Sequence, residues 1–549
     1  MMEKEVYLNN AMYQIPRILS LEDRDFSSLT CGCFDRTYWA WKFKDFSDVT
    51  LQRSVYLLSI VYSNNFNGNI YFKNENIKEW IKAGILYWFK IQHKNGSFDQ
   101  AFPNEFSFGA TAFTLHPLIK SLSAIEKCFS TKEKEIIYNT FERSARFLVR
   151  NSEVHGFISN HLAGGALSLY NVGVLLNKEI YKKHSRKLID LILKNQSKEG
   201  WFKEYDGPDP GYETLGIYYL AKYYQETQDE NVLKALERSI NFLSYFLHPD
   251  GTFGGEYGSR NTEIFYPAGF EILRNKIPLA RKISDKMRGF IFKNKTISLR
   301  SVDKENLIPL VENYLEAYLA SGETEPTKEI LLPFERKEED KFFKLSGIYI
   351  KSSCNYYAIC NTKKGGILKI FDKAEKKIAW NDVGYVGEIK NGNLLTTQIS
   401  NSKTKIIFND DSIDIATNFM KVSRKVLTPF KLIILRIFGF TICKNIFIGN
   451  LFKKNIVKML ITQKSNYPVR LARKVIFQKE KVEIQDVLTK NKGVKFKWLE
   501  YGKKFSAIHM GSAKYFQISQ LEKLRDLSTV NVKKFNQENK AVIFNKIHF

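Results

Sequence analysis

The chain has 549 residues, of which 44% are hydrophobic and 14% aromatic, which excludes a disordered protein and predicts two or three folded domains. Its formal net charge of +26 predicts an anionic partner. No helix-turn-helix, zinc-finger or RNA-binding signature is present, so we expect no nucleic acid among its partners. The six cysteines lack metal-site spacing and the first 30 residues lack an apolar signal core, so we expect a cytoplasmic protein with no cofactor or metal.

Residues 1–48 are predicted to form an irregular segment that packs on the domain following it. Three candidate substrate-binding residues, Asp35, Arg36 and Trp39, lie here among further aromatic side chains. Aromatic rings beside polar groups would form a platform on which a sugar ring stacks. A buried aromatic plug that closes the end of the helical array is the alternative interpretation.

Residues 49–330 are predicted to form a helical domain. Apolar residues recur at helical spacing along it, for example Leu51, Val55 and Leu58. Pairing the periodic segments gives about five or six helical hairpins, enough for an incomplete α/α toroid. A helical solenoid is the alternative architecture.

A Gly-aromatic loop motif recurs along this domain. The pattern Gln-x-x-x-Gly-x-Phe occupies residues 92–98 and 196–202, with weaker copies at 155–157 and 248–253. The glycines are spaced by 60, 44 and 51 residues, which indicates stacked helix–loop–helix units. Loops of such units open at one end, so their polar residues should converge there. Alternatively, the glycines merely end helices.

Two groups of candidate residues follow from this convergence. The predicted catalytic residues are Asn160, His161, Tyr212 and Arg260. The predicted substrate-binding residues in the same loops are Gln100, Tyr205, Glu256 and Asn261.

After a polar linker at 321–340 the periodicity changes. Short β-branched segments separated by Gly and Asn turns begin at residue 347. They predict an antiparallel β-sandwich over residues 331–549, which makes the fold class α+β and multidomain.

One segment of this second domain is both basic and apolar. Residues 416–479 contain 14 Lys and Arg and no Asp or Glu. Arg436 and Lys444 interrupt its apolar runs, so no run reaches the ~20 residues of a membrane span. Either residues 421–464 lie on an anionic membrane surface, or they form two core strands with basic edges.

The pair Asn160-His161 at a loop-to-helix junction, with Tyr212 in the next loop 52 residues on, resembles the heparinase II/III and alginate-lyase superfamily of polysaccharide lyases. The resemblance covers most of the chain in layout but only short patches in motifs. It implies an α/α toroid followed by antiparallel β-sheets, and β-elimination on a uronic-acid-containing anionic polysaccharide. The family pattern also has a second histidine nearer the β domain, and only His509 and His548 follow residue 248 here.

Cleavage by β-elimination removes the C5 proton of a uronate. Asn160 could donate a hydrogen bond to the substrate carboxylate, and Arg260 or His161 could add positive charge, which stabilises an enolate-like transition state. Tyr212 needs a neighbouring cation to act as the base, or else it protonates the leaving oxygen. His161 is its expected partner, and the scheme requires no metal.

Three alternatives stay open. The same carbanion chemistry fits a uronyl C5-epimerase. A glycoside hydrolase would need two carboxylates, such as Asp99 with Asp206 or Glu256. A non-catalytic polysaccharide-binding protein at a membrane would share the basic surface. The expected cytoplasmic location and membrane contact favour a role in bacterial-type surface polysaccharide metabolism, where making a polysaccharide on a lipid carrier fits an epimerase better than a degrading lyase. We expect an anionic polysaccharide or a lipid-linked oligosaccharide as the partner, and a peripheral position on the inner face of the membrane.

Overall fold

The computed structural model describes residues 4–154, 156–205, 207–322, 330–422, 428–457, 465–502, 515–521 and 530–549. The first part of the chain is helical. Its α-helices are α1 Glu5–Met12, α2 Ile15–Leu19, α3 Arg36–Trp39, α4 Ser54–Ser63, α5 Glu75–Lys90, α6 Phe108–Ile125, α7 Thr131–Arg150, α8 Ser159–Leu175, α9 Glu179–Lys194, α10 Pro210–Thr227, α11 Glu230–Leu243, α12 Ala268–Leu273, α13 Pro278–Phe292 and α14 Lys304–Ala320.

These helices form an inner and an outer layer. Helices α4, α6, α8, α10, α12 and α14 contact one another in that order, and α14 contacts α4, so the inner ring closes. Helix α6 is apolar nearly all round and mostly buried, as an inner position requires. Its outer partner α7 buries one face and exposes charged residues on the other. The predicted toroid is therefore confirmed, with a ring more complete than the sequence indicates.

The N-terminal segment takes part in this ring. Helix α1 packs on α13 and α14 and so occupies the outer position beside the last inner helix. The hydroxyl of Tyr7 donates to Glu271 at 3.0 Å, and both residues are buried. The segment therefore contributes a helix to the outer layer in addition to the irregular region around Asp35.

The second part of the chain is built from antiparallel strands. They are β1 Glu339–Phe343, β2 Ile348–Ser352, β3 Tyr356–Asn361, β4 Ile367–Asp372, β5 Lys377–Asp382, β6 Tyr385–Ile389, β7 Leu394–Thr396, β8 Lys405–Asn409, β9 Ser412–Val422, β10 Asn466–Phe477, β11 Lys481–Lys490, β12 Phe496–Tyr501 and β13 Lys540–His548.

The strands form two stacked sheets. The first sheet has the order β1-β2-β3-β4-β5, and the second has the order β12-β6-β7-β9-β10-β11-β13 with β8 paired to β9. Side chains such as Ile370 and Trp380 from the first sheet pack against Val475 and Ile484 from the second. The predicted β-sandwich is confirmed.

The first sheet also packs on the toroid. Every residue of β3 is buried, because one face meets the second sheet and the other meets the helices. The hydroxyl of Tyr357 donates to the carbonyl oxygen of Tyr245 at 2.5 Å across this contact. The toroid ends at Ala320 and β1 begins at Glu339, on either side of the boundary predicted at residue 330.

The basic, apolar segment is helical over residues 429–440 and 446–457. Between β9 and β10 lie α15 Pro429–Phe440 and α16 Ile446–Val457, and a third helix, α17 Val532–Glu538, precedes β13. The alternative of two core strands with basic edges is therefore wrong for residues 429–457. Periodicity alone does not separate a short apolar strand from a short apolar helix.

Candidate active site

The recurrent loop motif has a structural basis. The side-chain amide nitrogen of Gln92 donates to the carbonyl oxygen of Thr140 on α7 at 2.9 Å, and that of Gln196 donates to Ala235 on α11 at 2.8 Å. Gly200 has a φ of +103°, and a Cβ there would lie 2.3 Å from the carbonyl oxygen of Arg238. The motif thus fixes each outer helix to the next one.

The loops that follow the motif lie at one end of the toroid. Each of them connects the end of an outer helix, α5, α7, α9 or α11, to the start of the next inner helix, α6, α8, α10 or α12. Because all four run in the same direction between the layers, they open at the same end, as predicted. Asn160, Tyr212 and Arg260 come from three of these loops or from the first turn of the helix that follows.

Asn160 and Arg260 are joined by a buried carboxylate. Oε1 of Glu204 accepts hydrogen bonds from Nδ2 of Asn160 at 2.9 Å and from its backbone N–H at 3.1 Å. Oε2 of the same carboxylate lies 3.4 Å from Nη1 of Arg260. Glu204 is 1% exposed, so it links two of the predicted catalytic residues away from water.

Arg260 lies against two tyrosine rings. Its guanidinium carbon is 3.6 Å from the ring centroid of Tyr212 and 5.2 Å from that of Tyr205. A cation this close to an aromatic face is attracted to it, and it also stabilises negative charge that develops on the phenol oxygen.

One aspartate sets the relative position of Arg260 and Tyr212. Asp209 is the N-cap of α10, and its Oδ1 accepts the backbone N–H of Tyr212 at 3.1 Å. Its Oδ2 accepts the backbone N–H of Arg260 at 2.7 Å. The start of α10 and the loop that carries Arg260 are therefore held by the same carboxylate.

His161 has its own acidic partner. Nδ1 of His161 lies 2.6 Å from Oε2 of Glu153, and its ring packs edge-on against Phe113. The ring fits closely over α6, because a Cβ on Gly109 would lie 2.8 Å from Nδ1. The carboxylate fixes the orientation of the imidazole at the mouth of the toroid.

Burial changes the ionisation of this cluster. Desolvation raises the pKa of Glu204, although Arg260 and the Asn160 N–H act in the opposite direction. Desolvation likewise raises the pKa of Asp209 and of the Tyr205 phenol. For Arg260 desolvation lowers the pKa, but Tyr212, Tyr205 and Glu204 outweigh it and the net shift is upward. The guanidinium therefore stays charged.

Several polar atoms in the cluster lack a partner among the described residues. Nε of Arg260, Oδ1 of Asn160 and Nδ2 of Asn261 are buried without a hydrogen bond there. Buried polar groups are usually paired, so a concentration of unpaired ones beside a cleft indicates groups that a ligand can satisfy.

A cleft of about 640 Å³ opens between the toroid and the β domain beside this cluster. Tyr205 and Arg260 line its toroid side. Lys363, Lys364 and Lys403 line the opposite side, and none of the described residues lining it is Asp or Glu. The cleft therefore presents positive charge from both domains to a ligand.

The β domain also holds the Arg260 loop in place. Nζ of Lys364 donates to the carbonyl oxygens of Glu256 and Gly258 at 2.6 and 2.8 Å, and to Oδ1 of Asn261 at 2.8 Å. Glu256 itself lies 3.4 Å from Nζ of Lys369 on β4. Of these two predicted substrate-binding residues, Asn261 adjoins Arg260, and its Nδ2 has no partner in the part of the chain that the structure describes, whereas Glu256 faces a lysine of the sheet.

The remaining predicted substrate-binding residues lie in different surroundings. Tyr205 lines the cleft and has a positive φ of +59°, a backbone conformation that is unfavourable for a bulky residue and often found at functional sites. Gln100 is exposed, and its backbone N–H donates to Glu105 at 2.9 Å. Their roles in binding stay predictions.

The three candidates in the N-terminal segment contact the protein itself. Oδ2 of Asp35 lies 2.6 Å from Nζ of Lys44 and its Oδ1 lies 3.3 Å from Nζ of Lys304. The guanidinium of Arg36 donates to the backbone carbonyl oxygen of Ser20, and the indole N–H of Trp39 donates to that of Leu21. These contacts explain the cluster structurally, and a sugar-stacking role for it stays a prediction.

The histidine that the family pattern leads us to expect is not found near the cluster among the described residues of the β domain. His509 lies outside the described residues, and His548 is exposed at the end of β13. His248 is buried between Thr252 and Tyr257 and stacks on Phe371, which accounts for it structurally.

Sequence reasoning did not identify Glu204, Lys363, Lys364 or Lys403 as site residues. Glu204 immediately precedes Tyr205 in the Gly-rich loop that the sequence marks as part of the site. An acidic residue in that loop is the sequence feature that could have identified it. The lysines have no such signal, because only the packing of the two domains brings them to the cleft.

Comparison with known proteins agrees with this arrangement. Residues 72–266 match the family model of the ulvan lyase N-terminal domain. Chondroitin AC lyase of Streptomyces coelicolor A3, solved in complex with chondroitin sulphate, is similar over 92% of this chain and 68% of its own, with a TM-score of 0.52 and 10% identity. Heparinase III is similar over 89% of this chain and 71% of its own, with a TM-score of 0.50 and 11% identity. No curated protein matches the sequence.

These similarities confirm three of the predictions made from the sequence. The two structures confirm the fold, an α/α toroid followed by antiparallel β-sheets. The family match places a lyase domain on the toroid, and with the shared fold it confirms the resemblance and the predicted enzyme class, a polysaccharide lyase.

Proposed function

We propose that this polysaccharide lyase cleaves a uronic-acid-containing anionic polysaccharide by β-elimination, with its reacting sugar beside Asn160, Tyr212 and Arg260. The observation that carries the proposal is the position of Arg260. Its guanidinium stacks on Tyr212 at 3.6 Å, connects through Glu204 to Asn160, and lines a cleft whose charged lining residues are all basic.

Arg260 and Asn160 bind the substrate carboxylate in this proposal. Nε of Arg260 has no partner among the described residues, so it is available to a carboxylate oxygen. Donors fixed in advance stabilise the enolate-like transition state, in which charge moves onto that carboxylate. The shared contact with Glu204 keeps both side chains in place before substrate arrives.

Tyr212 carries the proton. When its oxygen acts as the base, Arg260 stabilises the negative charge on it, and the oxygen takes the C5 proton while the C5–H electron pair becomes the C4–C5 double bond. The C4–O bond breaks, and its electron pair stays on the leaving oxygen, which receives the proton from Tyr212. His161, oriented by Glu153, is the further group assigned to the substrate carboxylate.

The hydrolase alternative gains no support from the carboxylates named for it. Oδ2 of Asp99 lies 2.8 Å from Nε2 of His93 and also accepts the backbone N–H of Asn104. Glu256 faces Lys369, and Asp206 lies outside the described residues. Neither Asp99 nor Glu256 lines the cleft, whereas Arg260, alone among the four predicted catalytic residues, does.

The same proposal includes a role in bacterial-type surface polysaccharide metabolism. It also includes a lipid-linked oligosaccharide as the substrate and a cytoplasmic location at the inner face of the membrane. The basic cleft supports an anionic glycan of either kind. Comparing a free polymer with the same glycan on a lipid carrier would separate the two.

The test is an incubation of the purified protein with a panel of uronate polymers in deuterated water. We expect ultraviolet absorbance from an unsaturated uronate, and we expect Tyr212→Phe to lower its rate of appearance by roughly 10²–10⁴. Tyr224→Phe, at the far end of the same helix, is the matched control and should keep full activity. Deuterium at C5 of an intact polymer would identify an epimerase, and neither signal on any polymer would refute the proposal.

A further inference from the structure

The segment between β9 and β10 forms a helical hairpin that the sheet itself does not need. Strands β9 and β10 are antiparallel neighbours, with Met420 opposite Asn466, so a short turn would connect them. Instead residues 423–465 intervene, and within them residues 428–457 contain α15 and α16. We call residues 428–457 the apolar hairpin.

This hairpin exposes an unusual amount of apolar surface. Helix α15 is apolar nearly all round, yet Gly439 is its only residue classed as buried. The large apolar side chains exposed on the hairpin are Phe430, Leu432, Ile433, Ile434, Ile437, Phe438, Phe440, Ile442, Phe447, Ile448 and Leu451. An exposed patch of this kind marks a surface that is covered in use.

The charge of the hairpin indicates what covers it. Its charged residues are Lys431, Arg436, Lys444, Lys453 and Lys454, with no Asp or Glu. Apolar side chains interspersed with basic ones fit the boundary between acyl chains and anionic headgroups of a bilayer. A protein partner would need an apolar, acidic surface, which is an uncommon combination.

The hairpin is fixed to the toroid on one side. Nδ2 of Asn104 donates to the carbonyl oxygen of Gly439 at 3.1 Å, and Nζ of Lys453 donates to that of Phe106 at 3.3 Å. Nε of Arg436 lies 3.1 Å from Oδ2 of Asp45. These contacts hold the hairpin in one orientation while its apolar side chains remain exposed.

The loop containing Asp45, which Arg436 contacts, adds exposed aromatic side chains to the same region of the surface. In it, Trp41 is 61% exposed and Phe43 is 84% exposed, on either side of Lys42. Trp and Phe beside basic residues are typical of segments that lie in a membrane interface.

We propose that the apolar hairpin binds the surface of an anionic lipid bilayer and holds the protein there peripherally. None of the helices in the described ranges is long and apolar enough to cross a membrane, so the hairpin would lie in the headgroup region. It docks on the loop containing Asn104 and Phe106, at the same end of the toroid as the candidate site. Binding would therefore hold that end of the toroid near the lipid.

The test is co-sedimentation of the full chain with vesicles of phosphatidylcholine alone or mixed with phosphatidylglycerol. We expect binding to the mixed vesicles, at least about tenfold weaker binding to phosphatidylcholine, and a further loss at high salt. The double variant Ile433→Glu, Ile437→Glu should bind at least about tenfold more weakly than the unchanged protein. Lys431→Glu with Lys444→Glu should remove the preference for phosphatidylglycerol.

The matched control is the double variant Val174→Glu, Ile180→Glu. These residues are 55% and 56% exposed on the toroid, close to the 56% and 57% of Ile433 and Ile437, and it should bind as the unchanged protein does. Circular dichroism and thermal melting confirm that each variant is folded. No binding to mixed vesicles, or equal loss in both double variants, would overturn the proposal. A dimer that does not bind vesicles, and that becomes monomeric in the variant Ile433→Glu, Ile437→Glu, would also overturn the proposal. The hairpin would then join two copies of the chain.

Discussion

Two buried arginines, one in each domain, have opposite surroundings. Arg473 in the β domain is fully buried, and its Nε and Nη2 donate to Asp486 at 2.8 and 2.7 Å. Its Nη1 donates to the carbonyl oxygen of Gly366 at 2.7 Å and lies 2.6 Å from Asp382. Among the described residues, Arg260 in the toroid has one side-chain carboxylate contact, at 3.4 Å, and no partner for its Nε.

The difference separates a structural role from a functional one. Arg473 has partners along its guanidinium, so it offers nothing to a ligand and links β10 to its neighbours. Arg260 is nearly as buried but incompletely paired, it stacks on tyrosines and it lines a cleft. A buried arginine that the protein leaves partly unsatisfied is a candidate for binding substrate.

The largest effect is expected from Arg473→Met, which leaves Asp382 and Asp486 buried without their cation. We expect the free energy of unfolding to fall by about 3–5 kcal/mol, as is usual when one partner of a buried ion pair is removed. Urea denaturation measures it. Replacing Asp382 and Asp486 by Asn in the same chain should restore part of the loss. A loss below about 1 kcal/mol would show that this network is not structural.

The next effect concerns activity. Arg260→Met removes the donor proposed for the substrate carboxylate, so we expect kcat/KM on a cleavable polymer to fall by about 10²–10³. The loss of unfolding free energy should be less than half of that in Arg473→Met, because only one long ion contact is removed. Arg146→Met, at an exposed position on α7, is the control and should be fully active. An activity within tenfold of the unchanged enzyme would contradict the role of Arg260.

The smallest effect is a pH dependence of stability. Burial raises the pKa of Glu204 above its unfolded value, so the folded state binds this proton more tightly than the unfolded chain does. Its contribution to stability is therefore present at low pH and is lost as the pH rises through the folded pKa. Glu204→Gln lacks this titration, so the unchanged protein should lose stability relative to it as the pH rises above the usual range of a glutamate pKa.

Urea denaturation at several pH values measures this difference. Glu237→Gln, at an exposed position on α11, is the control, and its free energy of unfolding should vary with pH as that of the unchanged protein does. If the difference between Glu204→Gln and the unchanged protein had no pH dependence or the opposite sign, Glu204 would not be the shared buried carboxylate of the site.

The sequence predicts the architecture well because local patterns determine it. Helical periodicity marks the toroid, and the Gln-x-x-x-Gly-x-Phe motif marks the loops, since Gln92 and Gln196 bond the neighbouring outer helices. The β-branched segments after residue 347 mark the first sheet. The hairpin was ambiguous between strand and helix because its apolar runs are short.

The site was predicted less completely because it depends on contacts between distant segments. Loop position brings Tyr212 and Arg260 together, as the repeats indicate. That Glu204 joins Asn160 to Arg260 depends on side-chain directions, which loop spacing does not determine. Lys364 reaches the Arg260 loop only through packing of the two domains. Asp35, Arg36 and Trp39 bond to other parts of the protein. No local sequence pattern shows whether such side chains bind the protein itself or a ligand.

The central claim is tested most directly by the mass of the products formed from a cleavable uronate polymer. The account predicts that each cut produces one fragment with an unsaturated uronate at its new end, lighter by one water molecule than the corresponding hydrolysis product, and one saturated fragment. It also predicts that Tyr212→Phe forms them far more slowly while melting at an unchanged temperature. Two saturated fragments from each cut, which together have gained a water molecule, would contradict it, as would unsaturated fragments formed equally fast by Tyr212→Phe.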